Sequence, residues 1–346
     1  MNTHENIFRS PLRHTCMFAA LMASVLTMGC ISVKKNPEPV VISQPKTSSS
    51  PSPEEMAGLE NANQEAEVGN FTTAVKMFED LLDENPSLTP AILGLGNVYV
   101  DMGELNKAEP TFARAARLEP GNFDAQFGHG EVLQMLGKLV ESIRAYQRAL
   151  SVKPDSTQVL VNMTTAYLEL DMNRSAITAA RRAVELSPDD GRARADLGVA
   201  YQREGLFDDA IEQYERAVEI LGSDPRIVRN LVECYSAGMR FVEAVNAGEV
   251  LVRIDPSAQT WERLGRAYFR VGNYSDSLKA YKNSVEMDPE YWASWNGIGV
   301  NTLNSWLLGD RQDPDLLTEA TEAFRKSLQL KPDQSKVIRL LTTYGS

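Results

Sequence analysis

Small, aromatic and proline residues recur at fixed intervals along the chain, separated by polar stretches. The clearest marker is a series of prolines about 34 residues apart, with one glycine in the series and one longer final interval: Pro86, Pro120, Pro154, Pro188, Gly222, Pro256, Pro289 and Pro332. Between successive markers, the small and aromatic positions form two clusters with the three- and four-residue spacing of a helix face. The pattern predicts pairs of helices, repeated about eight times between residues 55 and 334.

Each residue type in the repeated unit has a structural reason. Small side chains let two helices approach closely, and aromatic side chains fill the space beside them. A glycine suits the turn between the helices, and the proline ends the second helix. In the second unit these positions are held by Gly96, Tyr99, Gly103, Ala108, Phe112, Ala115 and Pro120. In the fifth unit they are held by Gly198, Tyr201, Gly205, Ala210, Tyr214 and Ala217.

The period and these positions resemble the tetratricopeptide repeat, a helix-turn-helix unit of about 34 residues. The resemblance covers residues 55–334 and implies an all-α superhelix, a solenoid of eight repeats. Residues 335–346 are predicted to form a capping helix and tail, because the last repeat of a solenoid otherwise exposes apolar surface.

Three units depart from the family pattern. The fourth has Asp171 and Ala180 where glycine and an aromatic residue are usual, and the sixth has Gly248 at the aromatic position. Looser packing is expected in the sixth unit. The eighth carries an insertion over residues 304–314, which includes Trp306. Either a partner-binding loop or a local hydrophobic plug fits this insertion.

The N-terminus has the features of an export signal. Arg9 and Arg13 precede an uncharged apolar run over residues 16–29, and Cys30 follows. Residues 26–30, Leu-Thr-Met-Gly-Cys, resemble the lipobox of bacterial lipoproteins, although Thr27 stands where that family usually has leucine. The resemblance implies a signal peptide over residues 1–29 and an acylated Cys30 that anchors the chain to a membrane. An uncleaved anchor over the uncharged residues 14–33, or ordinary cleavage, is the alternative.

Residues 30–54 are rich in proline and serine and predict a disordered tether between the anchor and the repeats. Ile31 follows the cysteine, where an aspartate would mark retention in the inner membrane. The lipoprotein resemblance therefore implies the periplasmic face of the outer membrane in the cell envelope. An uncleaved signal would instead anchor the chain in the inner membrane.

Composition narrows the possible functions. The formal net charge of −12 argues against nucleic-acid binding, which requires a positive field. The repeats contain one histidine, His129, and one cysteine, Cys234, which is too few for a disulfide or a cysteine-based zinc site. We expect His129 to be a buried neutral side chain and Cys234 a small core residue. No catalytic residue, metal site or cofactor is predicted.

In the tetratricopeptide family the first helix of each repeat lines a concave groove. By resemblance, the groove positions of repeats two to four hold only acidic charges, at Asp101, Asp124, Glu131 and Glu169. Those of repeats five to seven hold Asp196, Glu233 and Glu262 together with seven arginines: Arg192, Arg203, Arg226, Arg229, Arg263, Arg266 and Arg270. This change of sign predicts a half-groove that binds an acidic segment or a C-terminal carboxylate through arginine side chains.

The alternative interpretation of these arginines is a solvated helix face. Three pairs stand four residues apart and can neutralise each other: Arg192 with Asp196, Arg229 with Glu233, and Glu262 with Arg266. The other four arginines, which have no such partner, are the stronger candidates: Arg203, Arg226, Arg263 and Arg270.

Polar and apolar side chains complete the predicted groove: Asn97, Asn162, Asn230, Phe127 and Phe269. Groove asparagines in several tetratricopeptide families hydrogen-bond the backbone of a bound peptide. The lysine–asparagine clamp of chaperone-binding members is not reproduced, because Leu93 occupies one of its positions.

The sequence thus predicts a non-catalytic scaffold of the cell envelope that binds other proteins in its groove. The alternative function is an accessory or regulatory subunit, either of a cell-wall or glycan enzyme or of a pilus, secretion or polysaccharide export apparatus.

Overall fold

The computed structural model describes residues 50–345. The predicted signal peptide over residues 1–29, Cys30 and the tether up to residue 49 lie outside the described residues. Helices joined by short turns make up the described part. They are α1 (Pro53–Glu67), α2 (Phe71–Glu84), α3 (Thr89–Asp101), α4 (Leu105–Leu118), α5 (Phe123–Met135), α6 (Leu139–Val152), α7 (Thr157–Glu169), α8 (Asn173–Leu186), α9 (Gly191–Glu204), α10 (Phe207–Leu221), α11 (Pro225–Ala237), α12 (Phe241–Ile254), α13 (Ala258–Arg270), α14 (Tyr274–Met287), α15 (Trp292–Leu308), α16 (Pro314–Leu330) and α17 (Ser335–Tyr344).

The helices stack in the order of the chain. Each odd helix from α1 to α15 packs on the even helix that follows it, and each pair packs on the next pair. Each odd helix up to α13 also contacts the next odd helix, whereas no two even helices within residues 50–345 pack comparably. The helix α17 packs on α16 and closes the series. The predicted solenoid of eight helix pairs with a terminal capping helix is confirmed.

The first helix begins at Pro53, two residues before the predicted start of the repeats. Ser52 and Glu55 form a capping box, in which the Glu55 N–H donates to the Ser52 hydroxyl (3.1 Å) and the Ser52 N–H donates to the Glu55 carboxylate (2.6 Å). This reciprocal cap, with proline at the first helical position, fixes the start of α1.

Glycines inside the repeats allow the close approach that the sequence predicts. A Cβ atom on Gly96 would lie 2.8 Å from the ring of Phe112, and one on Gly198 would lie 2.7 Å from the ring of Tyr214. Only a residue without a side chain fits at such distances, so these positions set the spacing of the two helices in a repeat.

The turn between the two helices of a repeat uses one residue in the left-handed region. Gly103 (φ 73°) and Gly205 (φ 79°) are typical. Asp171 (φ 55°) and Met239 (φ 60°) adopt the same conformation in repeats four and six without being glycine. A non-glycine residue in this conformation costs roughly 1–2 kcal/mol, so these two turns are strained.

The insertion in the eighth repeat lengthens both of its helices. The helices α15 and α16 have 17 residues each, and residues 309–313 connect them. Trp306 lies in α15 and meets the ring of Tyr344 edge-on at 6.0 Å. It packs against the cluster of Leu303, Phe324 and Val337 that joins α15, α16 and α17. Trp306 is therefore a hydrophobic plug at the C-terminal end.

Candidate functional site

The odd helices form a continuous layer, because each of them contacts the next odd helix. We call the surface of α1, α3, α5, α7, α9, α11, α13 and α15 the inner face. Every predicted groove residue lies on one of these helices: Asn97 on α3, Phe127 on α5, Asn162 on α7, Arg192 and Arg203 on α9, Arg226, Arg229 and Asn230 on α11, and Arg263, Arg266, Phe269 and Arg270 on α13.

Between repeats, an aromatic residue on one helix pairs with a fixed position on the next helix, and we call this the pairing rule. We call the boundary between the even helix of one repeat and the odd helix of the next a seam. At three seams an aromatic ring on the even helix faces a glycine on the odd helix: Phe78 with Gly94, Phe112 with Gly128, and Tyr281 with Gly297. A Cβ atom on any of these glycines would collide with the ring. The aromatic side chain thus fills the seam up to the inner face.

At two seams the aromatic residue is a tyrosine whose hydroxyl group is hydrogen-bonded. Tyr146 donates to Gln134 Oε1 (2.8 Å), and Tyr214 donates to Gln202 Oε1 (2.8 Å). The glycine position of the following repeat is then an asparagine, and Asn230 Nδ2 donates to the Tyr214 hydroxyl (3.1 Å). Burial raises the pKa of Tyr146 to about 12. Both tyrosines therefore stay neutral at physiological pH.

The predicted groove asparagines take part in this packing. Asn162 occupies the position equivalent to Asn230 and donates from Nδ2 to Glu131 Oε1 (3.2 Å). The amide nitrogens of both residues thus bond to acceptors within the protein, which leaves Oδ1 for a bound backbone N–H. Asn97 on α3 is exposed. Peptide binding by these three asparagines stays a prediction.

Two seams lack the aromatic ring. Ala180 and Gly248 occupy the ring position. By the register of the other seams, the paired residue is Asp196 in the first case and Leu264 in the second, and a Cβ atom on Gly248 would lie 3.1 Å from the Leu264 side chain. The seam between repeats four and five thus pairs an alanine with a charged residue.

The seven predicted arginines have more partners than their spacing in the sequence indicates. Arg203 donates to the Leu168 carbonyl (2.5 Å) and meets Asp171 at 3.4 Å, so it caps the end of α7. Arg226 bonds the Asp224 carboxylate (2.9 Å), which lowers the pKa of Asp224 to about 2. The expectation that these two arginines are unpaired was wrong, because the acids lie in the turns between helices.

The central arginines are also paired. Arg229 bonds Asp255 (2.7 Å) instead of the predicted Glu233, and Arg263 bonds Glu233 through Nε (3.2 Å) and Nη2 (3.1 Å). The predicted pair of Arg266 with Glu262 is present at 3.2 Å. These contacts correct two expectations: Arg263 has a carboxylate partner, and Glu233 belongs to Arg263.

Arg192 and Arg270 are the two predicted arginines without a carboxylate partner in residues 50–345. The guanidinium carbon of Arg270 lies 4.4 Å from the centre of the Phe241 ring, a cation–π contact. The expected ion pair between Arg192 and Asp196 does not form. The seven arginines face six carboxylates once the turn residues are included, so the predicted positive half-groove is close to neutral.

Two cavities open on the inner face beside the seams that lack a ring. The first, of about 340 Å³, lies between α11 and α13 and is lined by Val232, Glu233, Ser236, Ala237, Phe241, Arg263, Arg266 and Arg270. We call it the arginine notch. The second, of about 690 Å³, lies between α9 and α11 and is lined by Val161, Arg192, Ala195, Asp196, Val199, Tyr214, Leu221, Asp224, Arg226, Ile227 and Asn230. We call it the aspartate notch.

Three carboxylates of the inner face are partly shielded from water. Burial raises the pKa of Asp196 to about 6, and the nearby Asp190 carboxylate adds to that effect. Burial also raises the pKa of Glu262, which Arg266 and Arg263 partly offset, and the pKa of Glu131, which its bond to Asn162 partly offsets. Asp196 differs from the other two because no cation or hydrogen-bond donor in residues 50–345 offsets its burial.

The predicted apolar groove residues are both half-buried on the inner face. Phe127 stacks on Phe123 at 5.7 Å and lies 6.0 Å from Tyr146. Phe269 lines a cavity of about 290 Å³ together with Tyr281 and Trp292. These rings add apolar surface to the inner face on both sides of the two notches.

The lone histidine and cysteine of the repeats are structural. His129 Nε2 lies 3.2 Å from Glu109 Oε1, and burial lowers the histidine pKa despite this carboxylate. Cys234 is fully buried between α11 and its neighbours. In the described part of the chain, no group of three or more His, Cys, Asp or Glu side chains has the arrangement of metal ligands. None of the helices between residues 50 and 345 has both the length and the apolarity of a membrane span.

The sequence interpretation missed Asp196 as an unpaired acid. Its spacing from Arg192 suggested a salt bridge, yet the side chain lies in the wall of the aspartate notch without an ion pair to a described residue. The signal that could have identified it is Ala180 itself, a small residue at a position where five other repeats have phenylalanine or tyrosine before a glycine or asparagine.

Comparison with known proteins supports the fold assignment. Two tetratricopeptide-repeat family models match residues 93–157 with 164–225, and residues 258–291. A crystal structure of a tetratricopeptide repeat protein from Parabacteroides merdae is similar with a TM-score of 0.51 and 15% identity, over 68% of this chain and 93% of the other. The pilF protein of Pseudomonas aeruginosa gives a TM-score of 0.50 and 17% identity, over 60% of this chain and 94% of the other.

A crystal structure of MamA protein is similar at 23% identity and a TM-score of 0.46, over 48% of this chain and 90% of the other. No curated protein sequence gives a significant match. The family matches and the helix-pair solenoid agree with each other over the described repeats. Residues 93–157, 164–225 and 258–291 are thus tetratricopeptide repeats, a repeat typical of protein-interaction scaffolds, and the described part of the chain is a tetratricopeptide-repeat solenoid.

Proposed function

We propose that the chain is a non-catalytic scaffold of the cell envelope that captures an extended, acidic segment of a partner protein on its inner face. Cys30 carries the lipid that anchors it, at the periplasmic face of the outer membrane. The observation that supports the binding site most directly is the arginine notch, where three arginines of α13 surround a cavity with one glutamate in its wall.

The arginine notch has the chemistry of an anion site. Arg266 and Arg270 are both exposed. Arg266 bonds Glu262, a carboxylate shielded from water, whereas Arg270 contacts only the face of Phe241. A partner carboxylate can therefore bind Arg270 without breaking an ion pair, and it can share Arg266 with Glu262. Phe241 and Val232 supply an apolar wall for the segment that carries the carboxylate.

The experiment measures binding of a fluorescent decapeptide of alternating glycine and glutamate with a free C-terminus to the full-length protein in detergent. We expect Arg266→Gln with Arg270→Gln to weaken binding by about tenfold, since each charge-assisted contact contributes roughly 1 kcal/mol or more. The control is Arg253→Gln on α12, outside the inner face, which should bind as the unaltered protein does. Equal binding by the double variant and the control would show that the arginine notch is not the site.

The partner itself is sought by crosslinking in intact cells. Photo-crosslinking groups placed beside the arginine notch, at Ser236 or Ala237, should join the protein to a polypeptide that the double variant fails to capture. A crosslink that persists in the double variant would place the partner elsewhere.

Membrane anchoring is tested separately by Cys30→Ala. We expect this variant to lose incorporation of labelled palmitate and to move from the membrane fraction to the soluble fraction after cell lysis. Retention in the membrane without palmitate would indicate an uncleaved signal anchor, and retention with palmitate would contradict the assignment of Cys30.

A further inference from the structure

Among the inner-face acids of repeats three to seven that are shielded from water, Asp196 is the one that lacks an internal partner in the described residues, whereas Asp124 and Glu169 are exposed. Glu131 accepts from Asn162, Glu233 from Arg263, and Glu262 from Arg266. No hydrogen bond or ion pair reaches the Asp196 carboxylate from anywhere in residues 50–345. A shielded carboxylate without a partner is destabilising for the fold.

The fold does not require an acid at this position. The equivalent positions of the five seams that contain a ring hold glycine at Gly94, Gly128 and Gly297, or an asparagine that bonds an internal acceptor. At position 196 either residue would avoid the penalty of a desolvated charge. A destabilising charge in the wall of a cavity marks a candidate binding site.

The aspartate notch is large enough for a long cationic side chain. Its volume of about 690 Å³ opens between α9 and α11, with Asp196 in the wall. Val161, Ala195, Val199 and Ile227 line the same cavity and can contact the methylene stem of a lysine or arginine. The charge and the apolar walls together match an amphipathic cation.

Most charged groups around the aspartate notch already have partners within the protein. Asp190 is engaged as the N-cap of α9, and Asp224 bonds Arg226 on α11. The element α7 contributes Val161 to the lining, and α10 contributes Tyr214 and Leu221, none of which is charged at neutral pH. Arg192 is exposed and has no carboxylate partner in the described residues, so it remains able to receive an anion.

We propose that the aspartate notch binds a lysine or arginine of the partner segment at Asp196, and an aspartate or glutamate next to that residue at Arg192. This inference rests on the proposed capture of a partner segment and adds a second subsite. The partner is thus a polypeptide with two binding elements. An acidic stretch binds at the arginine notch, and a cationic residue next to an acidic one binds at the aspartate notch.

The test uses the full-length protein in detergent and a fluorescent, C-terminally amidated peptide Ala-Ala-Lys-Glu-Ala-Ala. The matched peptide replaces lysine by norleucine, which keeps the stem and removes the charge. We expect the lysine peptide to bind at least fivefold more tightly, and Asp196→Asn to abolish the difference. Asp124→Asn, an exposed acid on α5, is the matched control and should leave the difference intact.

Binding of the lysine peptide should also depend on pH. The pKa of Asp196 is raised to about 6, so most of its carboxyl groups are protonated at pH 5 and nearly all are ionised at pH 7.5. Affinity should therefore fall about tenfold from pH 7.5 to pH 5 in the unaltered protein. Asp196→Asn should remove this dependence.

Three results would overturn the inference: equal binding of the two peptides, unchanged binding by Asp196→Asn, or no binding at about 10 mM peptide. Binding of the acidic decapeptide shows whether a negative result contradicts only this inference or also the proposed function. If Asp196→Asn loses the lysine peptide and keeps the decapeptide, the two subsites are independent. If both probes fail to bind the unaltered protein, the proposed function fails as well.

Discussion

Asp196 lies on α9 with its carboxyl group shielded from water and without an ion pair to any cation in residues 50–345. Its pKa is raised to about 6 in the folded protein, against an ordinary value of 3.8. Protonation is therefore easier in the folded state than in the unfolded state. The stabilising effect of the proton is complete below about pH 4 and is lost as the pH rises through 6.

We predict that Asp196→Asn removes this part of the pH dependence. The unaltered protein should lose roughly 1–3 kcal/mol of unfolding free energy between pH 4 and pH 7 through this group, because one pKa unit corresponds to about 1.4 kcal/mol. Urea denaturation of both proteins over that range measures the difference. The variant should be the more stable one at pH 7, and identical slopes would show that Asp196 titrates normally.

Asn301 is a second buried polar residue without a partner. It is 1% exposed, and neither Nδ2 nor Oδ1 has a hydrogen-bond partner in the described structure. The equivalent positions of other repeats hold small apolar side chains: Val98, Val132, Ala166, Ala200, Cys234 and Ala267.

We predict that Asn301→Val stabilises the protein by about 1–3 kcal/mol, because an unsatisfied buried amide is replaced by an apolar side chain of similar size. Thermal unfolding of the two proteins measures the gain. As a control, Cys234→Val exchanges one buried apolar side chain for another and should change the stability much less. A loss of stability in Asn301→Val would show that the amide has a role in the native structure.

At the scale of elements, the sequence determines the helix ends well. The helices α4, α6 and α8 end at Leu118, Val152 and Leu186, two residues before prolines of the predicted series. Proline lacks a backbone N–H and disfavours the helical conformation of the residue before it, so these helix ends follow from a local rule, although Pro110 lies inside α4. The lengthened α15 and α16 are different, because packing of Trp306 against α17 decides how far they extend.

The contacts of the inner face could be predicted less well. The sequence rule for helices pairs residues four positions apart, whereas neighbours in adjacent repeats are about 30 positions apart. Arg263 with Glu233 and Arg203 with Asp171 belong to this second class. The sequence therefore places the candidate residues on the correct helices but does not show which of them are neutralised.

The seam between repeats four and five allows a test of the pairing rule. Ala180→Phe restores the usual ring and should collide with Asp196, which costs about 1–3 kcal/mol of unfolding free energy. Adding Asp196→Gly reproduces the pair of Phe78 with Gly94 and should recover most of that loss. Denaturation of the two single variants and the double variant measures the coupling. Independent effects would mean that Asp196 does not lie over Ala180.

At the scale of the whole repeat array, stability depends on how its ends are covered. The last repeat buries Leu303 and Phe324 against α17, and Val337 is the buried residue of that helix. A solenoid repeat contacts only its neighbours, so no other element can replace this cover.

We predict that Val337→Asp destabilises the C-terminal end and promotes self-association. Val337 is 6% exposed, whereas its neighbour Ile338 is 48% exposed, so Ile338→Asp is the matched control. The first variant should lose about 2–4 kcal/mol through a buried, unpaired charge, and the second should stay close to the unaltered protein. Thermal unfolding and size-exclusion chromatography measure both effects. Equal behaviour of the two variants would contradict a capping role for α17.

Three features of repeats three and four recur 68 residues later, in repeats five and six. The hydrogen bond of Tyr146 with Gln134 recurs as Tyr214 with Gln202, the left-handed Asp171 as Met239, and Ala180 at the ring position as Gly248. Seams with a hydrogen-bonded tyrosine therefore alternate with seams without a ring along repeats three to seven, so the packing of this half of the solenoid has a period of two repeats.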